Sequence, residues 1–364
     1  MKPLWGSYIM MITGLHISNF KGISESKIDE MGMVNLFIGK NDSCKSTILE
    51  AAYTVLRESY SSGLGSSLSR RTNLEIGNRE LWYGYKTDSN IKIELLFENA
   101  VLSMVATYEK GQNRINSITN LSAHVGPAAR VFARSNTYQD NFAMSASSGH
   151  DLSQNMKALG FGNYVMDSRF VDSSLKNDLR LVESLLGQLK LQGLDLEFGK
   201  LFSQVFETDP HWEFMPHPDF PTQYRVALSK GDSRVFLNGF GDGLRFCMLL
   251  MGRIMLAKNT ALFIEEIENN QHPESLVKIV PFLVEYSRKN NLQLFITTHN
   301  PLVMRLFEEH CKNDKEKSVL RIYRVTRDKS NGFVQCIPLT EKELADWFTK
   351  VDQDLWGWKT EKKE

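Results

Sequence analysis

No excess of charge of either sign runs through this sequence. Lys plus Arg and Asp plus Glu both total 43, so the formal net charge is zero. That argues against a uniformly basic nucleic-acid coat, although net charge says nothing about local patches, and nucleic acid stays open as a partner. Cysteine is scarce, and Cys44, Cys247, Cys311 and Cys336 never stand at CxxC spacing. This argues against a zinc ribbon or a disulfide framework, and scattered thiols fit a reducing cytoplasm. No apolar run approaches the roughly 20 residues a spanning helix needs, so no membrane partner is expected. The apolar stretch from Leu4 to Leu15 runs straight into a strand with no small-residue cleavage site, unlike a secretory leader. There is no heptad run long enough for a coiled-coil arm and no internal repeat. What is present is ordinary globular material: 42% hydrophobic and 24% charged residues, which excludes a wholly disordered chain.

The pattern alternates strand and helix at both ends of the chain. Ile12 to Phe20 and Val34 to Ile38 read as strands, and a helix follows from Ser46 towards Leu56. Ile91 to Phe97 and Val101 to Tyr108 suggest a hairpin, and Leu179 to Phe206 has helical periodicity. Residues 58–71 and 143–155 are polar, small-residue stretches. Further on come a helix from Asp242 towards Lys258, a strand ending at Ile264, a helix from Glu274 to Lys289 and a strand from Gln293 to Thr297. A helix from Pro301 to His310 and a terminal hairpin complete the series. Such alternation predicts an α/β fold with a parallel-sheet core. The expected division is a first core half at 10–57, an inserted α+β lobe at 58–220, a second core half at 221–345 and a tail at 346–364.

Four motifs carry chemistry. Gly39-Lys40-Asn41-Asp42-Ser43-Cys44-Lys45-Ser46-Thr47 follows a buried strand and opens a helix. This is the context in which backbone N–H groups and a helix N-terminus cradle phosphate. Lys45 is placed to reach the β- and γ-phosphates, and the Ser46 hydroxyl to ligate Mg²⁺. Cys44 stands where the consensus has Gly, and a right-handed conformation there would cost it nothing. Leu262-Phe263-Ile264-Glu265-Glu266-Ile267-Glu268-Asn269 is a strand delivering carboxylates at its C-terminal end. By itself it would be a solvated acidic turn. Downstream of a phosphate loop, Glu265 reads as the Mg²⁺ ligand and Glu266 as the group that polarises the attacking water. Thr297-Thr298-His299-Asn300-Pro301 puts a histidine at a strand end, able to donate to a γ-phosphate and to position water. Gly241-Asp242-Gly243-Leu244-Arg245 opens an apolar helix with Asp242 expected as its N-cap, leaving phosphate contacts to backbone N–H groups and to Arg245.

Taken in this order, the motifs resemble those of the ABC ATPases of the SMC and RecF type. The closer likeness is to the OLD-like ATPases, including ATPase subunits of abortive-infection and other phage-defence systems. Ile17-Ser18-Asn19-Phe20-Lys21-Gly22 is similar to that family's first strand, which borders the nucleotide, so Asn19 and Lys21 join the expected contacts. Glu268-Asn269-Asn270-Gln271-His272-Pro273 is similar to the run after the acids, and Gly241-Asp242-Gly243 to the signature motif. The resemblance covers under half of the chain. It implies an ABC-type P-loop ATPase head using ATP and Mg²⁺, with Lys45, Glu266 and His299 as catalytic residues. It also implies a head-to-tail dimer or higher homo-oligomer in which each signature helix completes the partner's site. A cytoplasmic ATPase controlling a separately encoded nuclease or toxin is the expected role. A RecF-like DNA repair clamp and a non-hydrolysing ATP-binding scaffold are the alternatives. Gln139 is one candidate for a Q-loop glutamine. The chain after His299 is too short for the nuclease domain of OLD proteins, and Asp352 and Asp354 are read as part of a solvated terminus.

Overall fold

The computed structural model describes residues 11–58, 78–98, 100–110, 114–123, 142–145, 164–165, 167–206, 212–220, 222–230, 233–311 and 319–355. Gln139 and most of the two polar, small-residue stretches lie outside them.

The centre is a six-stranded sheet in the order β15-β14-β3-β13-β12-β8. Its strands are β3 (Val34–Ile38), β8 (Arg169–Val171), β12 (Thr260–Ile264), β13 (Leu292–Thr298), β14 (Leu320–Arg327) and β15 (Val334–Pro338). All neighbours are parallel except β15, which closes the edge antiparallel to β14. Strands buried on both faces read as continuous apolar runs, and every residue of β3, β12 and β13 is buried. Their side chains still alternate between two cores, as the pleat requires. Leu36, Ile264, Leu294 and Ile296 enter one cluster, and Phe37, Phe263 and Phe295 the other. On the second face Phe170, Phe263 and Phe295 stack across β8, β12 and β13, and Phe37 stacks on Tyr323 of β14.

The first face is covered by helices α2 (Leu179–Leu191), α3 (Asp195–Phe206), α4 (Asp242–Leu256), α5 (Pro273–Asn290) and α6 (Pro301–Cys311). The second is covered by α1 (Lys45–Glu58) and a six-stranded antiparallel sheet, β2-β1-β4-β5-β6-β7. That sheet is built from β1 (Ile12–Phe20), β2 (Ile23–Ile28), β4 (Ile91–Phe97), β5 (Ala100–Glu109), β6 (Arg114–Ala123) and β7 (Phe142–Ser145). Gln293 ties the layers together: its amide donates to the Ile12 and Gly32 carbonyls at 2.8 Å each, and its Oε1 accepts from the Ile12 N–H. A small antiparallel sheet, β9 (Trp212–Pro216), β10 (Tyr224–Lys230) and β11 (Ser233–Phe236), precedes α4.

Two expectations need correcting. The segment 58–220 is not set apart as a lobe where it is described. It supplies β4 beside β1 and β8 beside β12, so it enters both large sheets. The expected tail also begins inside a helix. Helix α7 (Glu341–Leu355) carries Asp352 and Asp354, and buries Leu344 and Phe348 against the first core. No helix among the described residues is long and apolar enough to cross a membrane.

Candidate functional site

The loop between β3 and α1 is built around a folded-back lysine. Lys45 Nζ donates to the Gly39 carbonyl at 2.8 Å and to the Lys40 carbonyl at 3.0 Å. Burial lowers the Lys45 pKa, while Glu266, Glu268 and Glu265, in that order, pull it up. The loop carbonyls hold the ammonium directly, and the acids of the strand end act on it through their charge. Ser43 is buried and its Oγ has no hydrogen-bond partner. A Cβ at Gly39 would stand 2.5 Å from the Val325 carbonyl oxygen and 2.9 Å from Ser43 Oγ, so the backbone runs too close to β14 for a side chain there. At the start of α1 the first N–H groups have no intrahelical acceptor.

The expected right-handed conformation of Cys44 is not what the loop adopts. Cys44 has φ 70° and Asp42 φ 66°, both left-handed. For an L-residue this costs about 1–2 kcal/mol, which is why glycine suits the position. The thiol compensates in part by reaching the Gly22 carbonyl at 3.6 Å. Burial pushes that thiol's pKa up, with Arg327 opposing and Asp42 adding to the rise. Arg327 also reaches Asp42 at 3.4 Å.

The acids are held at a second crossing. Glu266 has φ 47°, donates its N–H to Thr297 Oγ1 at 2.9 Å, and accepts from Asn269 Nδ2 at 2.7 Å. Glu265 donates its N–H to the Val171 carbonyl of β8 at 2.8 Å. Glu268 accepts from the His299 N–H at 2.8 Å and lies 3.2 Å from its Nδ1. The structure thus brings Lys45, Glu265, Glu266 and His299 into one neighbourhood, with Thr297, Asn269 and Glu268 as partners that motif reasoning did not assign. Thr297 and Glu268 were legible only as parts of runs, because their partners lie 31 residues away in sequence.

Other expected contacts point elsewhere. Lys21 Nζ is paired with Glu50 of α1 at 2.6 Å. The Asn19 amide donates to the Ser89 carbonyl at 2.8 Å and the Lys86 carbonyl at 3.3 Å, fastening a neighbouring turn. At α4 the N-cap is Gly241, and Asp242 is the first helical residue. Its carboxylate is clamped by Lys176 at 3.1 Å and Arg245 at 2.5 Å, and those hydrogen bonds, Lys176's first, hold its pKa below the usual 3.8. Arg245 is therefore occupied in neutralising Asp242. A Cβ at Gly243 would meet the Asn270 carbonyl oxygen at 2.3 Å, and Gln271 Nε2 donates to the Gly243 carbonyl at 2.9 Å. The helix start thus packs on the turn that follows the acids.

A cavity of about 820 Å³ opens beside the loop, lined by Gly39–Ser43, His299, Met304, Arg324, Arg327 and Trp347 among others. None of its lining residues belongs to Gly241–Arg245. Its size suits a nucleotide-sized ligand. Buried Ser43 Oγ, the close passage at Gly39 and the lysine among acids fit a triphosphate. Among the described residues no group of three or more His, Cys, Asp or Glu side chains could hold a metal by itself. The Ser46 hydroxyl and the Glu265 carboxylate are oxygen donors, the ligand type that Mg²⁺ takes together with phosphates and water.

A parallel α/β core with a phosphate loop at the end of its central strand and acids at the next strand but one defines a P-loop ATPase head of the ABC type. Comparisons agree. Residues 10–159 match the family model "AAA ATPase domain", and residues 146–305 match "AAA domain, putative AbiEii toxin, Type IV TA system". An "ATP/GTP phosphatase" of Helicobacter pylori is 22% identical over 95% of this chain and 100% of its own length. An uncharacterized protein of Methanocaldococcus jannaschii is 32% identical over 29% of this chain and 50% of its own length. Among solved structures, the Smc head bound to the C-winged helix domain of ScpA superposes with TM-score 0.52 at 13% identity. That superposition covers 92% of this chain and 99% of the Smc head, and it shows a shared fold. The two ATPase-domain models between them span residues 10–305, and the chain shares the fold of an ABC-type ATPase head.

Proposed function

We propose that this chain binds ATP at residues 39–47 and hydrolyses it to ADP and phosphate in a composite site shared by two copies. The observation that carries the reading is Lys45, folded back onto the Gly39 and Lys40 carbonyls of the loop between β3 and α1. Lys45 trades its loop carbonyls for phosphate oxygens. The N–H groups of 40–47 and Ser43 Oγ supply neutral donors around them. Ser46 and Glu265 would hold Mg²⁺, which when bound supplies charge neutralisation on the β- and γ-oxygens. Glu266, fixed by Thr297 and Asn269, polarises the attacking water. The service of Gly241–Gly243 to a second copy rests on the likeness of this run to a signature motif.

On this reading ATP closes the dimer and hydrolysis releases it, a switch that controls a separately encoded effector. The toxin-system wording of the matching family model supports a defence setting with a nuclease or toxin as that effector. The test combines phosphate release with light scattering. Wild type should release phosphate, and Glu266→Gln should bind ATP, stop turnover and accumulate dimers. A trapped dimer with Glu265→Gln instead would shift the two roles by one residue. ATP binding and dimer formation with no turnover in wild type would favour the scaffold reading, for which Glu265 in the usual place of Asp is the supporting feature.

A further inference from the structure

Arg327, the last residue of β14, belongs to none of the motifs, yet it stands against the phosphate loop. It lines the cavity together with Gly39–Ser43. A Cβ at Gly22 would lie 3.8 Å from its Cζ and its Nη2, so the guanidinium sits where β14, the turn between β1 and β2, and the loop meet. Its charge also reaches Cys44: burial raises that thiol's pKa, and Arg327 is the first influence to oppose it.

A guanidinium carries five N–H donors. Among the described residues the side chain makes one hydrogen bond, from Nη1 to Asp42 Oδ1, and it is long at 3.4 Å. Nε is buried and has no partner. The Asp42 carboxylate is 70% exposed, so water screens the pair and the tie is weak. Asp42 belongs to the loop itself, which places a displaceable anion on a cation at the rim of the cavity. The rest of the lining is mixed in sign, Lys40, Arg324 and Lys329 against Glu343 and Asp346, so a placed donor matters more here than bulk charge. Strand order says which part of a nucleotide it meets. The order β14-β3-β13-β12 puts the acids and His299 at the strand ends on one side of β3, and Arg327 at the strand end on the other.

We propose that Arg327 is a nucleotide-binding residue that donates to phosphate oxygens of the ADP portion of ATP, and that Asp42 occupies its guanidinium until the nucleotide displaces it. The inference rests on the reading of this loop as the ATP site. The γ-phosphate belongs with Glu266, on the far side of β3, so Arg327 serves ADP and ATP alike. Asp42 then competes with the nucleotide for the same donors. Removing the arginine and removing the aspartate should therefore change affinity in opposite directions.

The test is equilibrium binding of ADP and of ATP, each with Mg²⁺, to the whole chain, with urea unfolding to confirm that each variant folds. Arg327→Gln should weaken both nucleotides by about tenfold to a hundredfold, the scale of a lost hydrogen bond to a charged group, and by the same factor within about threefold. Asp42→Asn keeps a residue that tolerates the left-handed backbone at φ 66°. It should bind both nucleotides about threefold to fivefold more tightly, the scale of an exposed charge pair. In the double variant that gain should fall below about twofold, because the two residues are coupled. If Arg327→Gln does not fold, Arg327→Lys, which keeps the charge and loses the planar fork, takes its place and should also weaken both nucleotides. Unchanged affinity in the folded arginine variant overturns the inference, and so does a loss confined to ATP. Weaker binding by Asp42→Asn also overturns it, since a merely structural tie between the two residues would make both single variants worse. A wild type that binds neither nucleotide would overturn the ATP reading itself, and the inference with it.

Discussion

Gly243→Ala sets helix propensity against packing at the start of α4, and the structure decides which wins. Propensity alone favours Ala over Gly in a helix by about 1 kcal/mol. The added methyl would stand 2.3 Å from the Asn270 carbonyl oxygen, where no real Cβ sits, and 3.8 Å from Gln271 Nε2. Forcing a methyl into a packed contact costs about 1–3 kcal/mol. Displacing the turn would also break the 2.9 Å bond from Gln271 to the Gly243 carbonyl, worth about 1 kcal/mol. The sum is a net loss of about 1–3 kcal/mol, with a further loss of hydrolysis because the displaced turn follows Glu268. Urea unfolding of both proteins, with equal slopes, measures it. A variant as stable as wild type or more stable would refute the packing argument. Gly243→Glu, a natural probe of a helix end facing a second copy, would act first through this same clash.

Cys44→Val should lower both the melting temperature and ATP affinity, because a β-branched residue at φ 70° is strongly disfavoured. Cys44→Gly should stay within about 1 kcal/mol of wild type, relief of the left-handed strain being offset by a freer unfolded chain; thermal melts of the pair check both. Asp242 should titrate below 3.8 by carboxyl NMR, and Lys176→Met should move its midpoint up. Because its folded-state pKa is depressed, the stability it lends is present above 3.8 and is lost as pH falls through the folded value. A midpoint unmoved by Lys176→Met would contradict the clamp.

The motif-bearing elements were legible because each joins a buried strand to a distinctive end. Val34–Ile38 into the glycine-led loop, Thr260–Ile264 into acids and Leu292–Thr298 into His299 each combine continuous burial with a punctuating motif. What escaped depends on distant partners. β8 is three residues long and is a strand only because Leu262–Ile264 pair with it. The helical run from Leu179 to Phe206 is broken at Gly193, φ 68°, into two helices whose combined periodicity reads as one. Cys44 was expected right-handed because local propensity says so, while the loop geometry says otherwise. Lys21 and Asn19, expected at the nucleotide from motif position, pair in the structure with Glu50 and with the Lys86 and Ser89 carbonyls, contacts that no local pattern announces. Helix α7 was hidden by its charge, since only Leu344 and Phe348 of its described side chains are buried.

The central claim is that Lys45 is the phosphate lysine of an ATP site. Equilibrium binding of labelled ATP to wild type and to Lys45→Ala tests it most directly, with unfolding curves to confirm that both fold. The account predicts saturable, Mg²⁺-strengthened binding to wild type and a loss of about a hundredfold or more in the variant, as expected for removing a charge-assisted contact to phosphate at a site built around it. Near wild-type affinity in a folded Lys45→Ala protein would contradict it.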